Sequence, residues 1–328
     1  MAAYTAIDDP EAYFQVKTYS GTGSEIAVTL DGDTDMQPDM VWTKNREQDD
    51  GHQLFDAVRG VTKFFRTNNT DTEASDAQTL KSFDSDGFTV GTYSDMNTSG
   101  EGVVAWCWKE SATAGFDMVA YTGTGSARTI SHSLSAVPHM MIHKERTDDA
   151  SHFIVYHHKV ASDPETDYLY LDTTGAVADY AYTNDTVPTS SVFSLNNASD
   201  INESDDTYIA YLWSEKQGFS KFGSYTGNGN ADGTFVYTGF RPAFVLRKST
   251  TTVRSWHLHD NKRDPFNLAT EILYPDLSVP DDDAGDFVDI LSNGFKARAT
   301  GSGTNASGVV YIYMAFAEAP FVNSNGVP

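Results

Sequence analysis

Alternating apolar and polar positions run through the chain, and the alternation restarts three times. Phe14-Gln-Val-Lys-Thr-Tyr19 reads as a strand with one buried face, and Gly21 and Gly23 then allow a tight turn into a second strand over residues 26–30. After the polar residues 31–35, Pro38 opens a strand that runs to Lys44; proline suits a first position because it has no N–H to give the ladder. Residues 52–56 and 63–66 read as short strands, 68–75 as a polar loop, and 82–90 as a hairpin about Asp86-Gly87. Residues 102–108 form the most apolar strand, and Glu110 follows it.

The same plan returns twice. Lead strands are expected before Tyr121 and Tyr225, proline strands over 138–144 and 242–248, and closing strands over 207–213 and 311–316. A strand over 151–156 matches the one at His52, and Trp256 holds that position in the third copy. The blocks Tyr19-Ser-Gly-Thr-Gly23, Tyr121-Thr-Gly-Thr-Gly125 and Tyr225-Thr-Gly-Asn-Gly229 are followed by Pro38, Pro138 and Pro242 at intervals of 19, 17 and 17 residues. Lys44, Lys144 and Lys248 lie six residues beyond each proline. A block repeated at this distance is internal triplication.

The pattern predicts an all-β protein of three tandem antiparallel β-sandwich modules, jelly-roll or lectin-like, at 14–111, 112–217 and 218–328, behind an N-terminal arm at 1–13. A solenoid would use units of about 20–50 residues, shorter than these. The linkers, 110–115 and 214–218, are too short for free tumbling. The modules should therefore pack on one another, and a pseudo-threefold arrangement is open to them. The glycine block is expected to be a turn that sets the register of two core strands, since it lacks the following helix and the Lys-Ser/Thr of a phosphate loop.

Two stretches carry a resemblance. Residues 218–229 with 240–246, and residues 8–14 with 80–88, resemble an uncharacterised β-rich domain of virion and tail-fibre-like proteins from phages of aquatic bacteria. That domain is regarded as similar to concanavalin-type lectin sandwiches. The likeness covers nearly the whole chain and implies a viral structural context. It supplies no catalytic or binding residues to carry over.

Composition narrows the partners. Lys and Arg total 22 against 46 Asp and Glu, a formal charge of −24, which repels phosphate backbones and anionic headgroups and argues against nucleic acid and membrane surfaces. The single cysteine, Cys107, sits in a strand-like run and reads as a buried small hydrophobe. No secretory signal and no transmembrane run is visible in the sequence.

Candidate chemistry is thin. His152, His157 and His158 lie close in sequence, and His257 and His259 would share a strand face suited to zinc, but neither group recurs in the other copies. Asp31, Asp33 and Asp35, and Asp281, Asp282, Asp283 and Asp286, could offer oxygens to calcium but lack the bidentate Glu of a calcium loop. With 46 acids, no carboxylate pair marks a glycosidase. Tyr156, Tyr168, Tyr170, Trp213 and Trp256 are expected mostly in core or interface. The reading is therefore no catalytic, cofactor or metal residues, and no enzyme. The expected role is a structural protein on the virion exterior, a tail-fibre or appendage component able to contact a host-surface glycan or receptor. The alternatives are a capsid decoration or knob protein held by its N-terminal arm, and a carbohydrate-binding protein. Expected partners are other virion proteins, and a homo-oligomer is compatible with the reading.

Overall fold

The computed structural model describes residues 5–147, 151–283 and 285–319. The fold is all-β, built from several antiparallel sheets, with three large sheets each backed by a small one. In every large sheet the lead strand (Phe14–Ser20, Phe116–Thr122, Ser220–Thr226) pairs with the closing strand (Gly102–Trp108, Thr207–Trp213, Val310–Ala317). The closing strand then pairs with the proline strand (Met40–Asn45, Met140–Glu145, Pro242–Ser249), and that with a fourth strand (Gln53–Asp56, Ile154–His157, His257–Asp260). The first two sheets add two more strands, Lys63–Arg66 with Ala74–Ser75 and Asp167–Tyr170 with Ala178–Asp179, whereas the third stops at four. Only in the third copy does the proline itself begin the strand, with a bulge between Pro242 and Phe244.

Each closing strand occupies an inner position with strands on both sides and is buried on both faces, which is why it reads as a continuous apolar run. Ala105 and Cys107 face the first small sheet, alongside Val28, Phe88 and Val90. Val104, Trp106 and Trp108 face the other way, into one large cluster. Ile209, Tyr211 and Trp213 join that cluster from the second closing strand, and Ile312, Met314 and Phe316 from the third. There Phe14 stacks on Phe316 at 5.1 Å between ring centroids, and Trp108 meets Phe244 edge-on at 5.5 Å. Burying such a ring contributes roughly 1.5–3 kcal/mol, so this shared cluster is the dominant cohesive element between the three large sheets.

Polar contacts between the copies recur as well. Glu110 accepts from the N–H of Met118 (3.0 Å), Glu215 from Phe222 (3.4 Å) and Glu318 from Val16 (3.3 Å), so each closing glutamate caps the lead strand of another copy. The N–H groups of Glu73, Val177 and Asp281 donate to the carbonyls of Arg146, Thr250 and Arg46 at 3.2, 2.9 and 2.9 Å. At the end of the fourth strands, Asp56 accepts from the Tyr211 hydroxyl (2.7 Å), His157 Nε2 meets the Tyr313 carbonyl (3.2 Å), and Asp260 accepts from Trp106 Nε1 (3.1 Å). Asp56 and Asp260 are each paired with the arginine three residues on, Arg59 and Arg263, and all four side chains are fully buried. The second copy has His157 and Val160 at these places, and Val160 joins the shared apolar cluster.

The glycine block is a turn with a polar anchor. Tyr19, Tyr121 and Tyr225 donate their hydroxyls to the carbonyls of Met96, Ile201 and Thr304. Beside them Asn97, Asn202 and Asn305, all fully buried, accept from the N–H of Thr22, Thr124 and Asn228, while their amide groups donate to carbonyls on both sides of the turn. The first glycine of each block, Gly21, Gly123 or Gly227, packs so tightly on the opposing chain that a Cβ would strike a carbonyl oxygen. The second has φ near +70°, as glycine permits: 70° at Gly23, 65° at Gly125 and 68° at Gly229. Lys44, Lys144 and Lys248 are buried too. Lys144 and Lys248 reach the carbonyls of Thr70 and Thr174 in a neighbouring copy, and burial pushes the Lys44 and Lys248 ammonium groups down to about 8.

Residues 5–13, set apart in the sequence as an arm, pack onto the body. Ile7 lies in the shared cluster, the N–H of Ala6 donates to the Gln217 carbonyl (2.9 Å), and Thr5 covers Gly218. Residues 1–4 of the arm lie outside the described residues.

Two expectations follow. Replacing Asn97, Asn202 or Asn305 by Ala strands several buried backbone groups and should cost about 3 kcal/mol each in urea unfolding, since each unmet group costs about 1–3 kcal/mol; losses under about 0.5 kcal/mol at all three sites would remove the anchor role. Burial holds His157 down at about 3 and His158 at about 4, below the ordinary value of 6.5. The unfolded chain therefore binds their protons first, and their contribution to stability, complete above pH 6.5, is lost as pH falls from 6.5 towards 3. His157→Asn should flatten the stability-versus-pH curve between pH 6 and 4 by up to about 1.4 kcal/mol per unit, and an unchanged slope would count against it.

Candidate functional site

The third large sheet stops at four strands, and the chain between Asp260 and Val288 takes an irregular path instead. That path leaves an open cleft of about 1110 Å³, lined by Ala231, residues 253–255, His257, parts of 274–287 and residues 298–303, with Thr174 contributed by the second copy. Its size suits a ligand larger than a small metabolite.

At the cleft floor, His257 begins the fourth strand and is nearly buried. Its Nδ1 faces the Ser255 carbonyl at 2.9 Å and its Nε2 faces Asp286 Oδ2 at 3.2 Å. Both partners are acceptors, so the ring donates to both only when each nitrogen carries a proton. The other Asp286 oxygen accepts from the Thr304 hydroxyl at 2.6 Å. Burial alone would raise the Asp286 carboxyl, but the bonds from His257 and Thr304 and the charge of Arg247 outweigh it and hold the group at about 2. Gly303 lies against this pair, where a Cβ would collide with Asp286 and His257.

Around the floor, Tyr274 meets His257 edge-on at 5.1 Å and donates its hydroxyl to Asp282 at 2.9 Å. Asp281 is turned the other way, accepting from Arg46 Nε (2.6 Å) and Arg263 Nη1 (2.8 Å), and so joins the first copy to the third. Arg298 on the rim pairs with Asp232 and Asp289. Arg254 is exposed; its backbone N–H donates to Thr174 and its carbonyl accepts from Lys248, which fixes the main chain, while its guanidinium meets no carboxylate among the described residues.

The residues singled out in the sequence are thus regrouped. His257 and His259 share a strand face, but His257 goes to Asp286 while His259 Nδ1 accepts from Arg247 (3.2 Å). His152 bonds Asp172 at 2.6 Å and stacks on Tyr170. His157 and His158 both face carbonyls of the third copy, those of Tyr313 and Phe222. Among the described residues, no three His, Cys, Asp or Glu converge as a metal-ion group. Asp31 pairs with Lys17 and Lys262, and the Asp33 N–H donates to the Glu11 carboxylate at 2.7 Å, while Asp35 and Asp283 are exposed. Tyr156, Trp213 and Trp256 are buried, and Tyr168 and Tyr170 pack on the second copy's own cluster. Sequence reasoning missed the pairing of His257 with Asp286, which lie 29 residues apart, and it missed Arg254. The one local signal was Gly301-Ser302-Gly303, which has no counterpart in the other copies.

Gly303→Ala should displace the buried pair and cost about 1–3 kcal/mol in chemical denaturation. Asp286→Asn should remove the stability that the carboxylate confers above its ordinary value of 3.8 and that fades as pH falls from 3.8 towards 2. A wild-type acid transition in the asparagine variant would show that the pair is not formed.

No helix among the described residues is long and apolar enough to cross a membrane. A comparison with curated proteins returns no match. A family model does match, over residues 9–320, and it runs through all three copies as one unit. The chain belongs to that family, described as a domain of unknown function, DUF7483.

Proposed function

We propose that this chain is a non-enzymatic structural protein of a phage particle, carried on the exterior as a tail-fibre or appendage component that contacts the host surface. In this reading three β-sandwich modules close into a ring about a pseudo-threefold axis. The observation that carries it is the recurrence of one contact set at three junctions, Glu110 to Met118, Glu215 to Phe222 and Glu318 to Val16, around a shared apolar centre. Such a body is rigid without a disulfide, since Cys107 is buried and free. That suits a component exposed outside a cell, where no chaperone restores it. The formal charge of −24 keeps such a surface soluble and away from the nucleic acid it would accompany.

The appendage reading is preferred to capsid decoration because residues 5–13, which would have to grip the shell, are engaged with the body through Ile7 and Ala6. Immunogold labelling of intact particles, or a particle reconstruction, should place the protein outside at the tail or its appendages. Labelling only after particles are opened would defeat the proposal.

A further inference from the structure

We infer that the cleft of the third copy is a binding site for an acidic polysaccharide, a chain of hydroxyl-rich rings bearing carboxylates. The inference rests on the host-contact reading above and names the ligand class and the place. The cleft has a volume of about 1110 Å³ and is open to solvent, so a ligand in it need not be enclosed. Its lining mixes apolar patches, such as Val253 and Phe287, with hydroxyls of Thr300 and Ser302 and the carboxylates of Asp282 and Asp286. A sugar ring presents the same mixture, with C–H faces and hydroxyl edges that both donate and accept.

The charges assign the acidic group. Asp281 is paired with Arg46 and Arg263, and Asp286 is engaged by hydrogen bonds with His257 and Thr304. Arg298 is taken by Asp232 and Asp289. Arg254 remains as the lining cation with no carboxylate partner among the described residues, on a backbone clamped by Thr174 and Lys248. An exposed guanidinium on a fixed main chain, with no carboxylate partner among the described residues, suits a two-pronged bond to a uronate carboxylate. Tyr274 supplies a ring edge and, with Asp282, a hydroxyl-binding pair beside it. The interior pair His257 and Asp286 forms the floor, with Gly301 and Gly303 packed on it more closely than a Cβ would allow.

The molecule's overall negative charge opposes a polyanion at long range, whereas the Arg254 contact is short. Salt therefore screens the repulsion more than it weakens the bond, and the test belongs at about 0.5 M NaCl, where the screening length is well below 10 Å.

Titration calorimetry of the full chain with hexamers of galacturonate and of guluronate, against a neutral galactose hexamer, decides the matter. The expected result is binding of at least one acidic hexamer, and binding of the neutral one weaker by about tenfold or more. Arg254→Ala, an exposed change that leaves the fold intact, should cost the acidic hexamer about tenfold or more in affinity, and Arg128→Ala in the second copy should cost nothing. Silence towards both acidic hexamers, equal binding of the neutral one, or indifference to Arg254→Ala would overturn the inference. Exterior labelling without acidic-sugar binding sinks this site while leaving the appendage reading intact; sugar binding by a protein found inside the particle does the reverse.

Discussion

The structure depends on strands that have no outer face. Each closing strand sits inside its sheet and is covered on both sides, with one set of alternate residues committed to its own small sheet and the other to a cluster that all three copies share. Isolated from the others, a copy would expose Trp106 and Trp108, or Tyr211 and Trp213, or Met314 and Phe316, to water. The free energy of association is thereby part of the free energy of folding. It also bears on the polar groups near this centre, beyond the reach of water: Asp56, His157 and Asp260 take partners from a neighbouring copy, while the Nε1 groups of Trp42, Trp108 and Trp213 meet no acceptor among the described residues.

That constraint explains the buried charges. Asp56 with Arg59 and Asp260 with Arg263 are held where a lone ion would be costly, and each aspartate bonds an aromatic donor from another copy. In the second copy the pair is absent, and the position is filled by His157 and Val160, a histidine kept neutral by burial and an apolar side chain. The charged and uncharged solutions occupy one place in the architecture, so what is retained there is contact with the next closing strand rather than a particular chemistry.

The legible part of the sequence was the part governed by local rules. Lead, proline and closing strands announce themselves through alternation, proline and continuous apolar runs, and the Tyr-x-Gly-x-Gly block through its spacing. Four-residue strands such as Arg128–Ser131, Val192–Leu195 and Val288–Leu291 are too brief for alternation to stand out. Asn97 and Asn202 lie at the ends of one-turn helices within polar stretches, and nothing local shows that they serve a turn some 75 residues earlier. The arm was set apart because it is small and polar, yet its apolar Ile7 is what docks it. At the cleft, His257 stood out beside His259 and Asp286 beside other acids, because sequence neighbours are visible and partners across a loop are not.

The difference of the third copy from the first two has a consequence for binding. The three copies differ in their loops: the first two large sheets have fifth and sixth strands, while the third has the irregular path beside the cleft. The stoichiometry of any ligand in that cleft is then one per body. Under the proposed exterior role, a particle that carries many such bodies would gather its avidity from their number and spacing, not from multiplicity within each.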